Sequence, residues 1–211
     1  MKILKSFPVT CMMILRTTKG MKKKVLREPA MIDYAMIILA FLLFFIYDYN
    51  QLQLHQTWLR PAFFLGCMLI LTSVLHAVCT QWHPGAIPIL LMSALLSAAL
   101  LIYVLFFALP FTNTYIREAQ PAVCRTGCYA LCRHPGFWML ALCLGFLTLA
   151  IHTIHILLLA LLCSLCNLLY VLFQDRYSFP LQFVDYVDYR QEVPFLIMTR
   201  RSLQQCRKTW R

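Results

Sequence analysis

Residues 137–173 read FWMLALCLGFLTLAIHTIHILLLALLCSLCNLLYVLF. As one helix these about 37 residues would run some 55 Å at about 1.5 Å per residue, nearly twice the roughly 30 Å hydrocarbon core of a bilayer. The run is therefore expected to fold as a helical hairpin. Its break belongs at His152-Thr153-Ile154-His155, the polar cluster inside it.

Three further apolar runs precede the hairpin. Residues 34–47 (YAMIILAFLLFFIY) are bounded by Asp33 and Asp48, widened a little by Met31 and Ile32, and are short for a crossing. Residues 61–79 begin with Pro61, at a first turn where a missing N–H costs nothing. Residues 86–109 close at Pro110 and are long enough to tilt. Between the second and third, Gln81-Trp82-His83-Pro84-Gly85 reads as a tight turn with an interfacial tryptophan. The expected fold is all-α, a multi-pass transmembrane helical bundle of about five spans with a C-terminal hairpin and an amphipathic tail on the cytosolic face. Along the chain this gives a basic N-terminal segment over 1–30, a three-span region over 31–121, a core over 122–197 and a basic tail over 198–211.

Composition points the same way. Hydrophobic residues make up 61% and charged residues 13%, with a mean hydropathy of +0.71, against roughly 45–50% apolar content in an average soluble domain. A soluble fold has no place to hide that surface, whereas lipid solvates the outside of spanning helices. The net charge of +11 sits at the two ends and around Arg117, Arg125 and Arg133, where anionic headgroups meet it. No basic patch with interleaved aromatics occurs, so the expected partners are membrane lipids and not nucleic acid. Most of the ten cysteines lie in apolar runs, where a free thiol packs as a small hydrophobe; Cys163-x-x-Cys166 is mid-span and has no second pair for a metal.

Orientation is a conflict. Lys22, Lys23, Lys24 and Arg27 seek the cytosol, and so do the Arg117/Arg125/Arg133 loop and the tail TRRSLQQCRKTWR, yet an odd number of crossings separates them. The loop and tail carry more basic residues, so they are placed in the cytosol. Met21-Lys-Lys-Lys is a second candidate start, which would make part of 1–30 an upstream extension and weaken the opposing charge.

Chemistry concentrates at Gly127-Cys-Tyr129-Ala-Leu-Cys-Arg133-His134-Pro135-Gly-Phe137. A cation, an imidazole and a helix-starting proline stand just before a span, where free N–H groups favour an anion such as a carboxylate or phosphate. An Arg-His pair that only anchors the helix among headgroups is the plainer alternative.

The order Gly127, Tyr129, Arg133-His134-Pro135, Phe137, an apolar hairpin, Gln174-Asp175, then Tyr186-x-x-Tyr189-x-x-x-Val193-Pro194 resembles the membrane methyltransferases of the isoprenylcysteine carboxyl methyltransferase and phospholipid methyltransferase type. The likeness covers residues 123–197. It implies an integral membrane enzyme that binds S-adenosylmethionine and methylates a lipophilic or lipidated acceptor at a carboxylate, amine or thiol, without a metal. By the same likeness Arg133, His134 and Asp175 are the catalytic candidates, and Tyr129, Arg133, His134, Pro135, Phe137, Tyr186 and Tyr189 line the cofactor site. A sulfonium donor is already reactive, so such an enzyme chiefly aligns the groups and excludes water. Three departures stand out: Gln174-Asp175 where the family has two glutamates, Met139 where a glycine is usual, and Gln182-Phe183 in place of Phe-Gly. They leave open a scaffold of the same fold with impaired catalysis. Membrane sterol reductases, which use NADPH, share a related C-terminal pattern and form a third alternative.

Cys124, Cys128 and Cys132 recur every four residues before Arg133 and read as packing or as palmitoylation sites. His152 and His155 read as turn residues at the membrane surface. His76, deep in the second span, must face a cavity or a partner helix.

Overall fold

The computed structural model describes residues 30–108 and 122–210, and among these all regular structure is helical. The basic segment before residue 30, with its second candidate start, and Arg117 lie outside the described residues. Helix α1 spans Ala30–Leu54, α2 Ala62–Gln81 after a 3-10 turn at Thr57–Leu59, and α3 Pro88–Phe107. A single turn, α4, at Cys128–Leu131 leads into α5, Pro135–Ile151; α6 is Ile154–Gln182, α7 Tyr186–Glu192 and α8 Arg200–Thr209.

Four of these helices are long and apolar enough to cross a membrane, and α5 is a shorter apolar helix beside them. The buried share of each span is small, from 17% in α3 to 39% in α6. Leucines, isoleucines and phenylalanines such as Phe64, Leu75, Ile89, Leu96 and Leu165 instead point outward. That arrangement is stable where lipid is the solvent. The chain is thus a multi-pass helical membrane bundle.

Ile37, Phe41 and Phe44 of α1 meet Leu144, Leu147 and Ile151 of α5 and Leu159, Cys163 and Tyr170 of α6 in one core. Aromatic edges tie it together, with Phe44 and Phe45 each 5.4 Å from the Tyr170 ring. Gly66 lets α2 approach α1: a Cβ there would stand 2.5 Å from Phe44 Cε1 and 2.9 Å from the Ala40 carbonyl. Helix α3 packs along α5, and α2 against α6, so the regions divided at residue 122 share one bundle.

The hairpin breaks where its polar cluster stands. His152 takes a left-handed conformation (φ 53°), donates its N–H to Thr148 O, and Thr153 turns extended into α6. The tip is pinned by the α2–α3 turn: the His83 ring Nε2 lies 2.7 Å from Ile151 O, and the Ile87 N–H donates to Ala150 O at 3.2 Å.

One expectation is corrected. Asp33 and Asp48 do not bound the first span; both lie inside the 25-residue α1 and are buried. A carboxylate is tolerated there because each has a partner across the bundle, His76 and His155 for Asp33 and Gln174 for Asp48. Past Gln174, α6 continues through a π-wound turn, Gln174–Ser178, to Gln182. Similar π turns close α1 (Asn50–Leu54) and α3 (Tyr103–Phe107), and all three lie at the same end of the bundle.

Candidate functional site

The end of the bundle that carries the π turns also holds the Arg-His-Pro segment. Gly127 adopts φ 59° at the mouth of α4, a region costly for a residue with a Cβ, and its N–H donates to Thr209 Oγ1 of α8. The C-terminal segment then closes over this turn. The Arg133 N–H donates to Pro194 O at 3.0 Å, and Trp138 Nε1 donates to Leu196 O at 2.9 Å. Tyr189 donates its hydroxyl to Tyr129 O, and the Tyr129 hydroxyl donates to Val104 O, a carbonyl within the π turn of α3. At the rim, Arg125 donates to Asp185 Oδ2 at 2.9 Å and to Glu192 Oε2 at 2.8 Å. Two blocks about sixty residues apart are thereby stitched into one unit.

Inside that unit the π turn of α6 aims Asp175 inward. Its Oδ1 accepts from the Tyr186 hydroxyl at 2.7 Å, and Arg133 Nε stands 3.2 Å and His134 Nε2 3.6 Å from the same oxygen. Arg190 Nε is 3.8 Å from Oδ2. Crowded on that oxygen, Arg133 Nε and His134 Nε2 make no aligned hydrogen bond, and Arg133 Nη1 is buried without a partner. The Arg133 side chain is only 9% exposed. Aromatic rings wall the cluster: Phe179 stacks on His134 at 5.6 Å, and Phe195 meets His134 edge-on while lying 5.5 Å from the Arg133 guanidinium carbon.

Burial pushes the His134 imidazole below its ordinary value, and the positive Arg133 adds to that, outweighing the pull of Asp175. His134 is therefore neutral at pH 7. Burial and then the Asp175 carboxylate drive the Tyr186 hydroxyl up, and burial does the same to Tyr189, so both stay protonated donors. At the rim, burial raises the Asp185 carboxyl, but the Val123 N–H and the Arg125 guanidinium more than offset it and leave it below the ordinary carboxylate value. Burial lifts the Cys132 thiol to about 11, and it lifts Cys128 and Cys206 beside it as well. These thiols are neutral packing groups, and Cys132 is wholly buried.

The residues singled out from sequence therefore divide. Arg133, His134, Asp175 and Tyr186 converge on one point. Tyr129 and Tyr189 each spend the hydroxyl on a backbone carbonyl, Pro135 starts α5, and Phe137 turns edge-on to Trp138. Phe179, Phe195 and Arg190 belong to the cluster although no pattern singled them out, and the Arg125–Asp185–Glu192 clamp was equally unmarked. The departures have local partners: Gln174 Nε2 donates to Asp48 Oδ2 at 3.1 Å, where a glutamate would oppose a buried carboxylate, and Phe183 packs on Phe179 and Tyr186. A cavity of about 520 Å³ lies nearby, lined by Tyr103, Phe107, Gly127, Cys128, Lys208 and Trp210, and none of Arg133, His134 or Asp175 lines it.

A second polar cluster occupies the hairpin end. Asp33, fully buried, places Oδ1 2.7 Å from His76 Nδ1 and Oδ2 3.1 Å from His155 Nε2, while Ser73 donates to its carbonyl. His155 is thus a buried interhelical partner and not a surface turn residue. His76 does face a partner helix. Compared with known proteins, the chain matches no protein-family model, and neither a curated protein nor a solved structure aligns with it significantly.

Proposed function

We propose that this chain is an integral membrane S-adenosylmethionine-dependent methyltransferase acting on a lipophilic acceptor, with its site at the Arg133–His134–Asp175–Tyr186 cluster. The observation that carries the reading is the excess of buried donors. Buried nitrogens are almost always paired, yet Arg133 Nη1 has no partner, and Arg133 Nε and His134 Nε2 share one Asp175 oxygen without an aligned hydrogen bond. An entering carboxylate would satisfy them, in the bidentate manner suited to a guanidinium.

The residues present suit the cofactor. Arg133 would hold its carboxylate, and the Phe179 and Phe195 rings that wall the cluster would help keep water from it. When bound, S-adenosylmethionine supplies a methyl group on positive sulfur, a reactive electrophile that needs no metal. The protein's work is alignment and exclusion of water. Asp175 fixes Arg133 and Tyr186 from one side, and the Arg125 clamp keeps the C-terminal segment closed over them.

Charge supports a cytosolic face for this site. Every Lys and Arg among the described residues, from Arg60 to Lys208, lies at the site end of the bundle.

Saturable binding of S-adenosylmethionine to the folded, detergent-purified protein tests the reading, followed by transfer of its labelled methyl to a prenylated peptide, a lipid amine or a small thiol. His134→Ala weakens binding sharply. A folded protein that binds no S-adenosylmethionine overturns the proposal, and binding of NADPH in its place favours the reductase alternative.

A further inference from the structure

Helix α8 is built for a partner outside the bundle. It carries Arg200, Arg201, Arg207 and Lys208, all exposed, and the chain has no Asp or Glu after Glu192. None of the four forms an ion pair among the described residues. Arg207 and Lys208 in the last turn suit the helix dipole, but Arg200 and Arg201 in the first turn oppose it. A cation pair that weakens its own helix points to an anion elsewhere. The helix still forms because Thr199 and Ser202 complete a capping box.

Helical spacing sorts the faces. Ser202, Cys206 and Thr209 turn inward, with Ser202 and Cys206 buried. Leu203 and Trp210, seven residues apart, share one flank, and Arg200 and Arg207, also seven apart, stand beside them on the outer face. Leu203 and Trp210 are exposed, as are Ile197 and Met198 just before the helix. An apolar flank rimmed by long cationic side chains is the pattern of a helix lying in a membrane interface. Its position agrees: α8 packs on α4, the turn that opens directly into the apolar helix α5.

We infer that α8 docks on the anionic lipid surface of its own leaflet, and that this docking holds the turn before Arg133 in place. The link is covalent-chain-short: Gly127 N–H donates to Thr209 Oγ1, and buried Cys206 sits against the α4 segment. A lipid surface that orders α8 therefore orders Gly127–Tyr129 too. The inference stands on the membrane fold and is independent of methyl transfer.

Amide hydrogen exchange on the full chain in lipid nanodiscs tests it, comparing pure phosphatidylcholine with discs containing about 30% phosphatidylserine. Exchange over 200–210 is expected to slow by at least about tenfold in the anionic discs, with 127–129 slowing in parallel, and about 0.5 M salt should erase the difference. The Arg200→Gln/Arg201→Gln/Arg207→Gln/Lys208→Gln variant should exchange alike in both discs. Equal exchange of the unaltered protein in the two discs, or a variant that keeps the difference, overturns the inference. Inorganic phosphate added to neutral discs is the third arm: protection there assigns α8 to soluble phosphate and overturns the lipid assignment.

Discussion

Helix α6 has a buried carboxylate cluster near each end, Asp33 with His155 at one and Asp175 with Arg133 at the other, about 30 Å apart along its axis. At the hairpin end acceptor and donor numbers match. Asp33 Oδ2 and His155 Nε2 are unpaired by strict alignment, yet they face one another at 3.1 Å, and no Lys or Arg is near among the described residues. At the site end one donor is a permanently charged guanidinium, two nitrogens face a single oxygen already bonded to Tyr186, and Arg133 Nη1 has no partner. The first cluster is closed on itself and joins α1, α2 and α6. The second leaves a buried guanidinium nitrogen, Arg133 Nη1, without a partner. Burial of charge alone does not mark a site; a buried charged donor left unmatched is the distinguishing feature here.

The largest expected effect strikes the closed cluster. His155→Ala leaves Asp33 buried with only half-exposed His76 and should lower unfolding stability by about 3 kcal/mol, measured in mixed micelles, while S-adenosylmethionine affinity stays within about twofold. Asp33→Asn combined with His155→Ala should recover most of that loss; no recovery would mean that packing and not charge holds the helices. Next comes Arg133→Gln, expected to lower cofactor affinity by roughly thirtyfold or more, near 2 kcal/mol, because a buried charged hydrogen bond is lost. An unchanged titration would remove Arg133 from the site.

A smaller effect follows acidity. The folded imidazole of His134 titrates below its ordinary value of 6.5. Its stabilising contribution is thus complete above that pH and is lost as pH falls through the folded value, because the unfolded chain binds a proton that the folded site refuses. Thermal unfolding between pH 7.5 and 5.5 should show this decline, and His134→Gln should flatten it. The smallest is Arg125→Gln at the partly exposed rim, about 1 kcal/mol or less once solvent screening is allowed for. Its loss should be largest above the ordinary carboxylate value and shrink as acid protonates Asp185, whose folded carboxyl titrates below that value. Equal losses at neutral and acid pH would assign Arg125 a packing role.

Much of the fold could be read from the chain because hydrophobic length is a local property. The hairpin and its break at His152–His155 needed nothing else. The ends of the first span were misjudged for a non-local reason: a carboxylate in an apolar run looks like a boundary unless its partner is known, and the partners lie 43 and 126 residues away. Of the residues the structure gathers, Arg133 and His134 were legible from their chemistry before a span, and Asp175 and Tyr186 only through the family resemblance. The site was not legible at Phe179, Phe195 or the Arg125 clamp, whose roles depend on where the C-terminal segment folds back. The π turn that aims Asp175 has no residue signature at all, and Gln174 could be understood only beside Asp48.

The central claim, that the surplus donors around Arg133 await a ligand carboxylate, is tested most directly by comparing S-adenosylmethionine with its decarboxylated analogue in equilibrium binding to the purified chain. The account predicts that the intact cofactor binds at least about tenfold more tightly and that Arg133→Gln abolishes the preference. Equal affinities for the two compounds in the unaltered protein would contradict it.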